Sequence, residues 1–357
     1  MTDDPAQPTI AVVPGDDAAP EAVYASLRVL EALDLPMSFD VLPPGDELAT
    51  MGAAERESFV VERLDAADTV LFGSSNGTTP GIAHLRWGRC TYANVRPIQW
   101  RPGYRSPMAH PERLDYVIVR ENLEDAYVGI MGDAADLHRS GLVGPRARLA
   151  WDGEGRYAAK VITRKGTEAV ARFSYELARE RARASGRPAS LTVSAKTNML
   201  PATDRWFCRI VEEVGADYPD VRLRTYIVDD MAHRLVIAPD ELDVLLLPNL
   251  YGDVLSDLGA GTIGGMGLAP SGCYGDGVAY FESAHGTAPD LVGQGRINPT
   301  ATLLSAVMLL RWLGNEEAAG RLDGAVSAVY ADGRTLTVDQ GGTATTEEFA
   351  DAVAGRL

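Results

Sequence analysis

Short apolar runs alternate with longer amphipathic stretches along most of this chain. Thr9-Ile-Ala-Val-Val13 is a run of strand formers that stops at Pro14-Gly15-Asp16-Asp17. A helix is expected from about Pro20 to Leu33, and a second helical piece ends at Val60 to Leu64. Thr69 to Phe72 is the next strand and runs into Gly73-Ser-Ser-Asn-Gly77. Strand, glycine turn, helix and strand again is the rhythm of a parallel α/β sheet. Leu114 to Val119, Ser190 to Ala195, Thr225 to Val228, Leu242 to Leu247 and Ala279 to Glu282 read as further strands. Thr163 to Ser185 predicts an amphipathic helix with Ala169, Phe173, Leu177 and Ala178 on its apolar stripe. Helices are also predicted over Arg205 to Val214 and from Asn298-Pro299 to about Leu313, with Pro299 in the first turn. Leu268 to Gly272 reads as a turn, and the last helix is expected to be capped by Thr346 with Glu348 nearby. Residues 131–160 are weakly patterned and predict a hairpin or arm that projects from the body.

Composition narrows the function classes. The 357 residues, 46% of them hydrophobic, suffice for two domains with separate cores. A net charge of −17 argues against nucleic acid and against anionic membrane surfaces. No apolar run approaches the ~20 residues of a membrane span. Cys90, Cys208 and Cys273 lack any CxxC or CxxH spacing, which suits a reducing compartment without a disulfide framework or zinc site. Met1 to Pro8 is acidic and polar, unlike a signal peptide, so the expected location is the cytoplasm.

The candidate chemistry centres on Asn249-Leu-Tyr-Gly-Asp253-Val-Leu-Ser-Asp257. On a helix, Asp253 and Asp257 stand on one face, one turn apart. Like charges there repel, and a hard divalent cation removes that cost by taking carboxylate oxygens as ligands. An ordinary solvated acidic face is the alternative. The preceding apolar strand puts the pair at a strand's carboxyl end, where open α/β sheets bind ligands. Arg86, Arg89, Arg96, Arg101, Arg105 and Arg120 form a basic stretch in an otherwise acidic protein. Arginines of this kind bind carboxylates by paired hydrogen bonds, or pair with local acids such as Glu121 and Asp125. Lys196 follows a strand and is either a proton-transfer group or a surface lysine. No G-x-G-x-x-G follows the first strand, so an ordinary Rossmann dinucleotide site is not supported.

With these residues laid out, the chain resembles the β-decarboxylating dehydrogenases that act on 3-isopropylmalate, isocitrate, homoisocitrate, and tartrate or malate. The resemblance covers nearly the whole chain. It is carried by Asn249 to Asp257, by Gly264-Gly-Met-Gly-Leu-Ala-Pro-Ser271, and by Glu282-Ser-Ala-His-Gly-Thr-Ala-Pro-Asp290 with Asn298-Pro299. It implies an isopropylmalate dehydrogenase-like α/β fold of two domains. The discontinuous first domain, 1–92 plus 264–357, would be the cofactor side. The second, 93–263, would carry the substrate and metal residues, the arm and the interface of a homodimer with shared active sites. Asp253 and Asp257 would hold Mg²⁺ or Mn²⁺ together with Asp229 of the second subunit. Arg86, Arg96 and Arg120 match the arginines that hold the malate carboxylates, and Lys196 and Tyr127 match the acid/base pair. Glu282, His285, Gly286, Thr287, Ala288, Asp290 and Asn298 match the cofactor side. An acid at Asp290 suits the free ribose hydroxyls of NAD and repels the 2′-phosphate of NADP.

Two departures from the family pattern bear on function. The first turn lacks two of the family's glycines, at Asp17 and Ala19, which touches the local cofactor contacts. Ahead of Arg86, neither the serine and asparagine of isocitrate enzymes nor the two leucines of isopropylmalate enzymes are present. Pro80, Ile82, Ala83 and His84 stand there instead, and Ile82 and His84 are expected to line the pocket for the C3 substituent. The expected reaction is NAD-dependent oxidative decarboxylation of a 3-substituted malate, a small di- or tricarboxylate. Isocitrate, homoisocitrate, tartrate or malate are the alternative substrates. A non-catalytic regulatory subunit or a nucleotide-binding module without redox chemistry are the alternative classes. The retained Asp229, Asp253, Asp257, Lys196 and Tyr127 argue against the former, and the three arginines beside the acidic pair against the latter.

Overall fold

Ten strands form one twisted sheet through the centre of the protein. The computed structural model describes residues 7–142 and 154–357. The strands in chain order are β1 (Thr9–Val13), β2 (Ser38–Val41), β3 (Thr69–Phe72), β4 (Ala93–Gln99), β5 (Asp115–Glu121), β6 (Met131–Asp133), β7 (Arg156–Ala158), β8 (Ser190–Ala195), β9 (Arg222–Ile227), β10 (Val244–Leu247), β11 (Pro270–Gly275) and β12 (Val278–Ser283). The large sheet runs β2-β1-β3-β12-β11-β4-β5-β10-β8-β9. Its two ends are parallel, with β2, β1, β3 and β12 in one set and β5, β10, β8 and β9 in the other. The antiparallel strands β12, β11, β4 and β5 join the two sets at the centre.

Parallel strands are covered on both faces, which is why β3 and β10 are buried throughout and, Thr69 apart, apolar. The helices are α1 (Ala19–Glu31), α2 (Gly45–Leu48), α3 (Ala53–Ala66), α4 (Ala134–Arg139), α5 (Arg164–Ser185), α6 (Asp204–Gly215), α7 (Val228–Ile237), α8 (Asn249–Ile263), α9 (Thr300–Trp312), α10 (Glu316–Asp332) and α11 (Thr346–Ala354); α4 packs on β6, and the cover comes from the others. Thr163 caps α5 by accepting from the Gly166 N–H, and Gly186 ends it in the left-handed conformation.

Several local expectations shift by a residue or more. The buried stripe of α5 runs through Thr167, Val170, Ala171, Ser174, Tyr175 and Ala178, while Phe173 and Leu177 lie at its edge, partly buried. The stretch expected as a turn at Leu268 to Gly272 contains the start of β11, because Pro270 and its followers pair with β12. Glycines and a proline masked a strand there. Thr345, not Thr346, caps α11, and it forms a reciprocal capping box with Glu348. Of the expected arm, β6 and β7 form a separate antiparallel ribbon. Its stretch 143–153 lies outside the described residues.

Candidate active site

The site is built on one face of the antiparallel centre of the sheet. Tyr280 of β12 pairs with Cys273 of β11, which pairs with Asn94 of β4, which pairs with Arg120 of β5. Paired residues share a face, and so do residues two apart on a strand. Glu282, Arg96 and Arg120 therefore project to the same side. Helix α8 crosses that side and brings its acids over the arginines. Gly252 permits the approach, since a Cβ at that position would stand 2.7 Å from the Cβ of Arg120.

Arg96 and Arg120 are both nearly inaccessible, and their guanidinium groups meet the acids of α8. Arg120 donates Nε–H to Oδ1 of Asn249 at 2.8 Å and pairs with Asp253 through its terminal nitrogen. Arg96 donates to Ser256 Oγ at 2.6 Å and stands 3.5 Å from Asp253 and 3.4 Å from Asp257. Two buried cations thus compensate two carboxylates. Burial and the neighbouring Asp253 charge push the Asp257 carboxyl above its ordinary pKa, against the pull of Arg96. Tyr127 donates to the second oxygen of Asp253 at 3.0 Å. Burial and the Asp253 charge raise the pKa of its phenol.

A cleft of about 500 Å³ opens beside this cluster, walled by Phe72, Ser75, Ile82, Arg86, Trp87, Arg96, Arg120, Tyr127, Asp253, Glu282 and His285. Arg86 Nε is buried there with no hydrogen-bond partner, while its guanidinium lies over the Trp87 ring and close to Tyr280 and Glu282. Burial lifts the Glu282 carboxyl above its ordinary pKa although Arg86, Arg96 and Arg120 oppose the shift. Ile82 lies on the wall, as expected. His84 does not: its Nε2 is 2.7 Å from Asp65 of α3. Residues two apart on a helical turn face opposite ways, and Arg86 takes the cleft side of the turn His84–Gly88. Trp87 fills the wall instead, its indole N–H held by the Leu123 carbonyl at 3.0 Å.

Four of the seven expected cofactor residues line a second, mostly apolar cavity of about 340 Å³. His285, Gly286, Ala288, Asn298 and Asp339 are among its walls, with Leu291 and Ile297. Burial lowers the pKa of His285, and its Nε2 is buried without a partner. Asn298 is fully engaged: Oδ1 accepts from Thr300 N–H at 3.0 Å, and Nδ2 donates to Asp339 at 2.9 Å and Tyr330 at 3.1 Å. It therefore accepts the first N–H of α9, from the residue ahead of the Pro299 cap position, while lining the cavity. Asp290 is exposed near this cavity, outside its wall. Thr287 donates to Asp17 at 2.5 Å, and Asp17 also accepts from Asn76 at 3.0 Å. Asp17 adopts φ 54°, the left-handed region that the missing glycine would favour and that aspartate tolerates. Asp17 thus ties the first turn to the His285–Asp290 loop.

Lys196 and Asp229 lie elsewhere in the chain. They pair with each other at 2.6 Å, and neither lines the cleft that holds Tyr127 and Asp253. Among the described residues no group of three acidic, histidine or cysteine side chains is placed to hold a metal. Asp253 and Asp257 offer hard oxygen donors, the chemistry that Mg²⁺ or Mn²⁺ requires.

A sequence profile of the isocitrate/isopropylmalate dehydrogenases matches residues 9–353. The chain belongs to that family. Its members are oxidoreductases that act on a CH–OH group with decarboxylation, are metal-dependent and use NAD or NADP. The 3-isopropylmalate/3-methylmalate dehydrogenase of Methanocaldococcus jannaschii is 40% identical over 350 residues, 98% of each chain. The isocitrate/homoisocitrate dehydrogenase of Thermus thermophilus is 39% identical over 361 residues, again 98% of each. The crystal structure of isocitrate dehydrogenase from Methylococcus capsulatus superposes with a TM-score of 0.82 at 30% identity, covering 98% of this chain and 99% of that one. Within this family the contacts that sequence reasoning missed are secondary. They are Ser256 and Asn249 beneath the arginines, Trp87 on the wall, and Asp17. Ser256 and Asn249 sit inside the acidic motif itself, where their spacing from Asp253 was the available signal.

Proposed function

We propose that the protein oxidises and decarboxylates a 3-alkyl malate with NAD and Mg²⁺ or Mn²⁺. The observation that carries this reading is the convergence of Arg86, Arg96, Arg120, Tyr127 and Asp253 on one cleft, with the Nε of Arg86 left unpartnered. Three cations suit the two carboxylates of a malate. Arg96 and Arg120 would exchange part of their contact with Asp253 for the substrate, leaving Asp253 and Asp257 to hold the cation. A bound divalent cation would supply Lewis acidity at the C2 oxygen. NAD, seated along the His285–Asp290 loop, would supply the hydride acceptor. Lys196 takes the C2 hydroxyl proton as hydride leaves C2. After carbon dioxide departs, Tyr127 returns a proton to C3.

Lys196 and Asp229 complete such a site only from a second copy of the chain. Exposed apolar side chains support that assembly. Val254 and Leu258 stand on α8 beside the acids, Val236 and Ile237 on α7 with Asp229, and Met199 and Leu200 just after Lys196. The two-domain division, 1–92 with 264–357 and 93–263, is supported by the sheet, whose strands separate by segment between β11 and β4. Arg86, Glu282 and His285 then belong to one domain and Arg96, Arg120, Tyr127 and Asp253 to the other.

Asp290 favours NAD, because an acid repels a 2′-phosphate. Ile82 disfavours isocitrate, since an extra carboxylate against an apolar wall lacks a partner. Metal-dependent NAD reduction measured across a panel of malates tests the proposal.

A further inference from the structure

Lys160 lies outside the cleft, just past the end of β7. Its ammonium stands 2.7 Å from Asp204 and 3.1 Å from Asp125, two carboxylates with no exposed surface. The ring of Tyr251 closes a third side, 4.4 Å from Nζ to its centroid. One cation thus compensates two buried acids. A buried arrangement of this kind persists only if every charge keeps its partner.

The other oxygen of each acid gives the cluster its meaning. Asp204 Oδ2 accepts the backbone N–H of Lys196 at 2.7 Å. Asp125 Oδ2 accepts the backbone N–H of Leu250 at 3.0 Å. Leu250 is the second residue of α8, where N–H groups have no partner inside the helix. Asp125 is two residues from Tyr127 and is held at φ 68° by two backbone hydrogen bonds with Val161. Three pieces of backbone meet at one ammonium: the Lys196 loop, the start of the helix with Asp253 and Asp257, and the Tyr127 loop.

We propose that Lys160 is a positioning residue for proton transfer. By bridging Asp204 and Asp125, it fixes the backbone beneath Lys196 relative to Tyr127 and α8. The proposal rests on the reading of Lys196 and Tyr127 as the acid/base pair. If Lys196 serves a partner's site, the bridge joins the groups kept for one site to the lysine given to the other. Without the ammonium the two carboxylates repel, and one or both backbone N–H groups lose their acceptor.

The test compares wild-type protein with Lys160→Met, Lys160→Arg and Asp204→Asn, using NAD, Mn²⁺ and the preferred malate. Asp204→Asn keeps the side-chain volume and leaves Lys160 balanced one-to-one by Asp125, so it is the milder variant, and circular dichroism checks the fold of each. Lys160→Met should lower kcat on the order of 10- to 100-fold, the scale set by a small misplacement of a catalytic group. KM should move by less than about threefold. Asp204→Asn should lower kcat in the same way, and Lys160→Arg should recover most of it. Amide exchange should quicken in the peptides with Lys196 and Leu250. Wild-type kcat in folded Lys160→Met overturns the proposal, as does wild-type kcat in Asp204→Asn if Lys160→Met does not fold. A loss confined to KM also overturns it. Absence of turnover in the wild-type protein defeats the acid/base reading instead. Unchanged exchange at Lys196 and Leu250 in Lys160→Met would then overturn the positioning role by itself.

Discussion

The phenol of Tyr127 donates to Oδ2 of Asp253 at 3.0 Å, while Arg120 holds the other oxygen of the same carboxylate. A group suited to giving up a proton is thus tied to an acid suited to holding a cation. Burial, the larger cause, favours the neutral phenol whether or not Asp253 holds a cation, so its pKa stands above the ordinary value. A raised pKa means that the proton donor survives to higher pH. The kcat profile of the wild-type protein should therefore keep its plateau up to the ordinary tyrosine range of about 10. Tyr127→Phe should lower kcat on the order of 10²- to 10⁴-fold. A pH–rate series on both proteins checks this, and a Phe variant with full kcat would remove Tyr127 from the chemistry.

Asp253→Asn should weaken Mn²⁺ binding and lower kcat by about 100-fold or more, because a hard-cation site loses both a ligand and a charge. The fold should survive, since asparagine keeps the volume and one acceptor for Arg120. Equilibrium dialysis of Mn²⁺, with circular dichroism as the control, separates the two effects.

Much of this was legible in the sequence. The acidic pair and its helix stood out by spacing, because residues four apart share a helix face, while Arg86, Arg96 and Arg120 were set apart from the other arginines only by the family resemblance. The elements at Thr9 to Val13, Thr69 to Phe72 and Ser190 to Ala195 agree with the structure to the residue: the first two are short, largely apolar runs, and the third alternates polar and apolar positions. His84 was misplaced because proximity to Arg86 in sequence says nothing about which side of a tight helical turn a residue takes. Its pairing with Asp65 depends on α3, far from it in sequence. Lys160 gave no signal at all. A single lysine in a weakly patterned stretch acquires meaning only when Asp125 and Asp204 are brought to it by the fold.

Cofactor choice should follow Asp290. The protein should prefer NAD to NADP in kcat/KM, and Asp290→Lys should shift that ratio toward NADP by about tenfold, the scale of a charge reversal at an exposed position. Steady-state kinetics with both cofactors reads the ratio directly. A wild-type preference for NADP would contradict the assignment.

If Lys196 is lent to a partner's site, two inactive chains should repair each other. Mixing Lys196→Ala with Asp257→Asn gives hybrid dimers in which one site receives both defects and the other neither. Activity should reappear after subunit exchange. With exchange verified by mass spectrometry, continued inactivity would mean that each chain builds its own site.

The central claim is that this chain couples oxidation at C2 to loss of carbon dioxide from a 3-alkyl malate. The most direct measurement follows NADH and carbon dioxide together for 3-methylmalate, 3-isopropylmalate, isocitrate, homoisocitrate and tartrate, with Mn²⁺ and then with excess chelator. The account predicts that a 3-alkyl malate gives both products in equal amounts, that isocitrate turns over poorly, and that chelator abolishes the reaction. Isocitrate outpacing every other malate would contradict the substrate assignment. Turnover undiminished by chelator, or no NADH from any malate, would contradict the reaction itself.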